Sequence, residues 1–493
     1  MASPTEEIRR AILSRRPLLY VRTWEEERVV RLLEAFSEKL HGEKGRVVTW
    51  TSISGLGGAA GDTRDPVAAL AQVVAAADQA IYVFKDLTSH FDDPRVVRAL
   101  REAYYALRTT ETLVVVLSPE LRIPENVIKE IQLIEIGLPG EDELQSLAQS
   151  IQRAYPDVPM AADVLQDMAF AAKGLTLNEA THTFHRVFRT RQVERHDALS
   201  EVFADKEIVV KKAGYLEFIR PEVGLDQIGG LDNLKEWLQQ RKRLFTKQAV
   251  QDGIPSPKGM LIMGISGCGK SVAAKAVSSL WDVPLYRLDM ARVYSGEFGA
   301  PERALYRALE TMEALAPAIL WIDEIENGLG MDEQQEGKVT NTQIFSTFLT
   351  WMQEKPPLVF VAATANRIHA LPAEFIRKGR FDQIYFVDLP TEEERQQIFE
   401  IHLRRQGADP AAFECDFLAV ATKQWNGAEI EQAVIAARID AYNAQRPMTI
   451  DDVTSNTSVT VPLARTMEEQ VKKIRNWALS RATPASRFGK IYR

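Results

Sequence analysis

Cysteine is scarce in this chain, with two residues, Cys268 and Cys415, among 493. That excludes a disulfide scaffold and suits a reducing compartment. No apolar run approaches the ~18 residues that a membrane span needs, and the first residues have no signal-peptide core. A cytoplasmic protein with no membrane partner is the expectation. Excess positive charge is also missing: the net charge is −8, so bulk composition favours neither nucleic acid nor acidic lipid as the main partner. Basic runs such as Arg241, Lys242 and Arg243 read as a solvated helix face. What remains is an ordinary globular balance, 45% hydrophobic and 26% charged. The length allows roughly three domains.

One stretch organises the rest. Gly264, Ile265, Ser266, Gly267, Cys268, Gly269, Lys270 and Ser271 fit the G-x-x-x-x-G-K-[ST] phosphate loop at every fixed position. An apolar run over 259–263 leads in, and small residues from Val272 to Ala276 lead out, giving strand, loop and helix. Glycines let successive N–H groups turn inward as an anion nest at a helix N-terminus. Lys270 would reach the outer phosphates of ATP, and the Ser271 hydroxyl would hold Mg²⁺.

Further along, the apolar run 318–322 ends in Asp323 and Glu324, two carboxylates with distinct tasks. Asp323 would share the Mg²⁺ shell with Ser271, and Glu324 would orient and deprotonate the attacking water. The next apolar run, 358–363, delivers Thr364, Ala365 and Asn366. A carboxamide there can bond both water and γ-phosphate, fixing the line of attack. Arg377 and Arg380, three apart and far from the glycine loop, suit charge stabilisation at the departing phosphoryl group.

These stretches together resemble the AAA ATPase module of the narrow AAA clade over about 224–455. The resemblance implies an α/β P-loop NTPase fold with a helical lid. It casts Asn366 as a sensor and Arg377 and Arg380 as fingers acting in the next subunit. It puts Ile228, Gly229, Gly427 and Ala428 around adenine. The whole chain, including the tail from Pro462 to Met467, is similar to the hypothetical-chloroplast-frame AAA ATPases of plastids and cyanobacteria. Such a member would be stromal if plastid-encoded.

The N-terminal third reads as a worn copy of this module. Strands are expected at 18–21, 47–50, 80–84 and 113–117, alternating with amphipathic helices in a mostly parallel sheet. Ile81 to Leu87 lies over Ile319 to Ile325, and Ile134 to Pro139 over Tyr385 to Pro390. Ala172 to Glu179 lies over Thr422 to Glu429. The chemistry is missing, though. Arg22, Thr23, Trp24 and Glu25 follow the first strand with no glycine loop, Lys85 and Asp86 replace Asp-Glu, and Lys129 stands near the expected arginine. The division expected is a degenerate AAA-like domain over 1–205, a linker over 206–223, the large ATPase subdomain over 224–390, a helical lid over 391–455, and a C-terminal helix and tail over 456–493.

Two departures from the family pattern carry consequences. Cys268 puts a thiol beside the phosphates, readable as a redox switch or as a tolerated small residue, with the second favoured. Tyr294 and Gly296 keep two positions of a pore loop that grips polypeptide in related unfoldases, but Ser295 stands between them, and a packed tyrosine is the competing reading. The last residues, from Pro484, read as a basic surface tail. The function expected is a Mg²⁺-dependent ATPase that assembles head-to-tail, as a homohexamer, and remodels an unidentified protein. The alternatives are an ATP-dependent assembly switch with little turnover and a loader-type ATPase associated with nucleic acid. The acidic balance counts against the last, and no nucleic-acid partner is expected.

Overall fold

The computed structural model describes residues 4–487 except 15, 42–44, 59–61, 77, 221–223, 296–299, 329–337, 368–370 and 378. The chain divides into two compact units, Met1–Val202 and Phe203–Arg493.

In the first unit, strands β1 (Leu18–Arg22), β2 (Arg46–Thr51), β3 (Gly55–Leu56), β4 (Ala80–Lys85), β5 (Leu113–Ser118) and β6 (Gln132–Glu135) form one sheet. Its order is β3-β2-β4-β5-β1-β6, parallel except where β3 runs against β2. The apolar runs are nearly continuous because helices cover both faces. Tyr20, Tyr82, Phe84 and Val116 enter one core, while Leu19, Val21, Val83 and Val115 enter the other. That is the two-residue alternation of a strand buried on both sides.

The second unit contains β7 (Leu216–Ile219), β8 (Gly259–Gly264), β9 (Leu285–Leu288), β10 (Ala318–Ile322), β11 (Val359–Ala365), β12 (Gln383–Val387) and β13 (Thr483–Pro484). The order is β13-β12-β8-β11-β10-β9-β7, with only β7 antiparallel to its neighbour. Both units therefore share one five-strand core: second, third, fourth, first and fifth strand side by side. The sequence correspondences fall on equivalent strands, β4 with β10 and β6 with β12. Asp86 and Glu324, each just past its strand, share a left-handed backbone, with φ of +52° and +46°.

The first unit differs where the phosphate loop would be. Only Thr23, Trp24 and Glu25 separate β1 from the helix Glu26–His41. Glu25 is buried and accepts the Leu177 N–H at 2.6 Å, at the start of the helix Leu177–Arg189. Burial pushes its carboxyl above the usual range. The unit fills that helix N-terminus with a side chain of its own.

Three expectations change at element boundaries. The stretch 206–223, expected as a connector, holds the end of the helix Arg195–Ala213 and then β7. Gly214, at φ +87°, turns the chain between them, and Glu217 pairs with Arg287 across the β7–β9 ladder. The helix Ile450–Val459 runs past residue 455, where the lid was expected to stop. The described start of the expected surface tail, Pro484 to Arg487, instead continues from a strand of the second sheet. After the helices Leu463–Thr466 and Glu468–Ala478, β13 pairs with β12, and Ala485 is 1% exposed. Proline suits this edge because it needs no ladder donor, and its carbonyl accepts from Asn233 Nδ2 at 3.0 Å. Among the described residues, no helix is long and apolar enough to cross a membrane.

Candidate nucleotide site

The strand β8 ends against β12 so closely that a Cβ on Gly264 would lie 2.0 Å from the Val387 carbonyl oxygen. Glycine is required there to release the chain into the loop. The loop closes at Gly269, itself left-handed, and the helix Lys270–Trp281 begins. A cavity of about 350 Å³ opens above it, at the carboxyl ends of the parallel strands, where open α/β sheets bind ligands. Ser266, Gly267, Cys268, Gly269, Lys270, Ser271 and Val272 form its floor. Ile228, Gly229, Gly427 and Ala428 also line it.

Lys270 is buried, and its ammonium bonds the carbonyls of Gly264 at 3.1 Å and Ile265 at 2.8 Å. Burial holds its pKa below the ordinary lysine value, opposed by the charges of nearby groups. Two backbone carbonyls thus occupy an amine that faces a loop of anion-binding N–H groups.

The strand ends β10 and β11 bring the polar residues together. Ser271 Oγ donates to Asp323 Oδ1 at 3.0 Å, and Thr364 Oγ1 donates to the same oxygen at 2.6 Å. Glu324 accepts Asn366 Nδ2 on one oxygen and Asn327 Nδ2 on the other, both at 2.7 Å. Glu326, 1% exposed, accepts the main-chain N–H groups of Asn366 and Arg367 at 2.8 and 2.9 Å and so fixes the loop that carries Asn366. The pair Ser271 and Asp323 suits Mg²⁺, which takes one or two hard oxygen ligands from protein and the rest from phosphate and water.

The lid closes the far wall. Its helix Gly427–Asn443 starts with a capping box on Asn426, and Ala428 N–H donates to the Gly267 carbonyl at 3.0 Å. The helix Glu392–Arg405 meets the strip 229–231. Gln397 Oε1 accepts Gly230 N–H at 2.8 Å, and a Cβ on Gly229 would come within 2.6 Å of Ile398. Arg405 reaches across to Gln227 at 2.8 Å. His402 also faces the cavity, 3.7 Å from Glu431. Burial keeps the imidazole below its usual range against the pull of that carboxylate.

Sequence reasoning did not single out Gln227, Thr364, Ile398, His402, Arg405 or Glu431 as lining residues. The lid residues belong to helices whose facing side depends on tertiary packing. Their one available signal was the i, i+4 spacing of Ile398 and His402, which puts both on a single helix face.

Some expected site residues lie elsewhere. Arg377 ends the short helix Ala373–Ile376 and is exposed, and Arg380 donates to the carbonyl of Glu374. Neither lines the cavity. Tyr294 is partly buried against the sheet core. Gly296 lies outside the described residues. Cys268 lines the cavity and is partly exposed, and burial pushes its thiol up to about 12, outweighing the pull of Lys270.

Comparison with known proteins agrees with this geometry. Residues 260–389 match the family described as ATPase family associated with various cellular activities (AAA). Residues 4–136 match the N-terminal domain of SpoVK-like AAA ATPases. The AAA domain-containing protein ycf46 of Guillardia theta is 32% identical over 472 residues, covering 94% of this chain and 93% of that protein. Its namesake from Pyropia yezoensis is 32% identical over 481 residues, covering 96% and 97%. The proteasome-activating nucleotidase of Thermococcus onnurineus is 29% identical over 240 residues, covering 47% of this chain and 60% of that one. A glycine loop facing two strand-end carboxylates beneath a helical lid, on a chain matched nearly end to end, makes this protein a member of the AAA ATPase family, among its ycf46 proteins.

Proposed function

We propose that the chain hydrolyses ATP as a ring-forming motor acting on a protein partner. The observation that carries the reading is the convergence of Ser271, Asp323, Glu324 and Asn366 on one cavity above the phosphate loop. ATP would seat its phosphates on the loop N–H groups, with Lys270 leaving the carbonyls it now bonds. Its base would lie between Ile228, Gly229, Gly427 and Ala428. Mg²⁺ held by Ser271 and Asp323 would neutralise charge on the phosphate oxygens. Glu324, once its oxygens are free of carboxamide donors, accepts a proton from water. The water oxygen bonds the γ-phosphorus as the β,γ-bridging bond breaks, giving ADP and phosphate.

Arg377 and Arg380 stand apart from their own chain's cavity, which supports their acting in a neighbour's site. Such head-to-tail contacts close into rings, and a homohexamer is the size proposed. The proteasome-activating nucleotidase among the relatives supports a protein, rather than a small molecule, as the partner.

The test combines two experiments. Glu324→Gln should retain ATP while losing nearly all turnover. Inactive Lys270→Ala chains mixed with inactive Arg377→Ala/Arg380→Ala chains should regain activity, because mixed interfaces pair an intact loop with intact arginines. Mixtures that stay inactive, beside a dilute monomer that hydrolyses normally, would rule out the shared site. One observation favours a second reading, an assembly switch with little turnover: both oxygens of Glu324 are engaged by carboxamides. Nucleotide-dependent assembly with turnover unaffected by Glu324→Gln would establish it.

A further inference from the structure

Glu324 holds a backbone conformation, φ +46°, that side-chain-bearing residues seldom adopt. Such conformations persist where surrounding bonds over-determine them. The carbonyl of Glu324 accepts the Asn327 N–H at 2.8 Å, and the bond on its own N–H comes from a side chain. Thr364 Oγ1 accepts the Glu324 N–H at 3.0 Å and donates its own hydrogen to Asp323 Oδ1 at 2.6 Å. The residue is 1% exposed, so this hydroxyl has few other uses.

The first unit supplies an internal comparison. Its equivalent residue, Asp86, has the same left-handed backbone at φ +52°. There the N–H donates at 2.9 Å to a main-chain carbonyl, that of Leu117 on β5. The left-handed turn is thus a property of the shared fold, and a backbone acceptor is enough to hold it. In the unit with the phosphate loop, a hydroxyl performs the task and simultaneously fixes a carboxylate. A carbonyl cannot do both, because it has no hydrogen to donate.

From this difference we infer that Thr364 is a positioning residue for ATP hydrolysis, setting Asp323 and Glu324 in one fixed relation through a single hydroxyl. The inference rests on the hydrolytic reading above. With Oδ1 of Asp323 taken up by the hydroxyls of Thr364 and Ser271, the carboxylate of this cavity-lining residue is held in one orientation. With its N–H held, Glu324 presents its carboxylate beside Asn366. Although Thr364 lines the cavity, in this role it acts through its two neighbours.

Thr364→Val keeps the shape and removes the hydroxyl, and Thr364→Ser keeps the hydroxyl. In Thr364→Val, hydrogen exchange at the Glu324 amide should accelerate ~10-fold or more, since that N–H loses its acceptor. kcat should fall ~10–100-fold, as for a misplaced reacting group. Binding of fluorescent ADP without added magnesium should stay within ~3-fold. Thr364→Ser should restore both exchange and kcat. The inference is overturned if Thr364→Val leaves exchange and kcat unchanged, or if Thr364→Ser fails as badly as Thr364→Val. Should Thr364→Val not fold, Thr364→Ala is read against Thr364→Ser in the same way. If the unaltered chain and Glu324→Gln turn over ATP equally, the hydrolytic reading falls, and amide exchange alone then decides whether Thr364 holds Glu324.

Discussion

The main-chain N–H of Ala428 donates to the carbonyl of Gly267 at 3.0 Å, so the lid helix stands on the phosphate loop itself. A change at Gly267 must therefore disturb lid and loop together. At φ +77°, a Cβ there would meet Asn426 Oδ1 at 2.7 Å. Gly269, at φ +88°, has nothing within 4 Å of the same position. Both alanine variants carry backbone strain of ~1–3 kcal/mol, but only Gly267→Ala also pushes the lid away. Gly267→Ala should lose amide protection at Ala428 and ~10-fold or more in nucleotide affinity, whereas Gly269→Ala should keep the Ala428 protection. Hydrogen exchange with a binding titration checks the pair.

Lys270→Met separates binding from folding. Among the described residues the buried ammonium bonds the carbonyls of Gly264 and Ile265, and burial already depresses its pKa. Removing the charge should leave stability unchanged or slightly raised, while ATP affinity falls ~100-fold or more through loss of the phosphate contact. Calorimetric titration of the full-length variant also tests the first unit. Residual tight Mg-ATP binding would show a second site, contrary to the place Glu25 occupies there.

The parts of this protein written as local chemistry were readable in its sequence. The glycine-lysine-serine loop, the Asp323-Glu324 strand end and Asn366 are short motifs whose spacing reflects strand and turn geometry. The worn repeat was also legible, because buried parallel strands leave continuous apolar runs at matching intervals. Contacts between distant segments were not. Thr364 gave no signal, since a threonine near the end of an apolar strand is ordinary until the facing backbone is known. β13 was missed because a two-residue edge strand with a proline carries no periodicity. β7 was hidden by the charges around it, and only its pairing with β9 distinguishes it from a connector.

Lys355 offers a test by pH. Burial pushes this amine down to about 7, aided by Lys258 and opposed by Asp382. Below pH 7 it is protonated in both states, and the cost of burying the charge is fully present. Between about 7 and the unfolded value near ~10.4, the unfolded chain binds more protons, so stability rises with pH by as much as ~1.4 kcal/mol per unit. Lys355→Met should flatten that rise and be the more stable form near pH 6.5. The raised thiols, Cys415 at about 11 and Cys268 at about 12, oppose the trend only above pH ~9. Urea unfolding of both proteins at pH 6.5, 7.5 and 8.5 stays below that range and reads the difference directly.

The segment around Ala485 makes the last prediction. Ala485 N–H donates to the Phe386 carbonyl at 2.9 Å, and its own carbonyl accepts Leu234 N–H at 3.1 Å. The segment thus ties β12 to the helix Asp232–Lys242, which begins shortly after Ile228 and Gly229 of the cavity wall. Upstream, Arg475 Nε lies 2.9 Å from both oxygens of Asp388, but this pair is partly exposed and should contribute ~1 kcal/mol or less. Ala485→Asp places a carboxylate in a position that is 1% exposed, with main-chain groups already paired around it. It should cost ~3 kcal/mol or more, against under ~1 kcal/mol for Arg475→Ala. Nucleotide affinity should fall in Ala485→Asp as well, since the helix behind Ile228 and Gly229 loses its anchor. Denaturant unfolding and ADP titration of both variants decide it: two near-neutral variants would mean that the segment is only a surface tail.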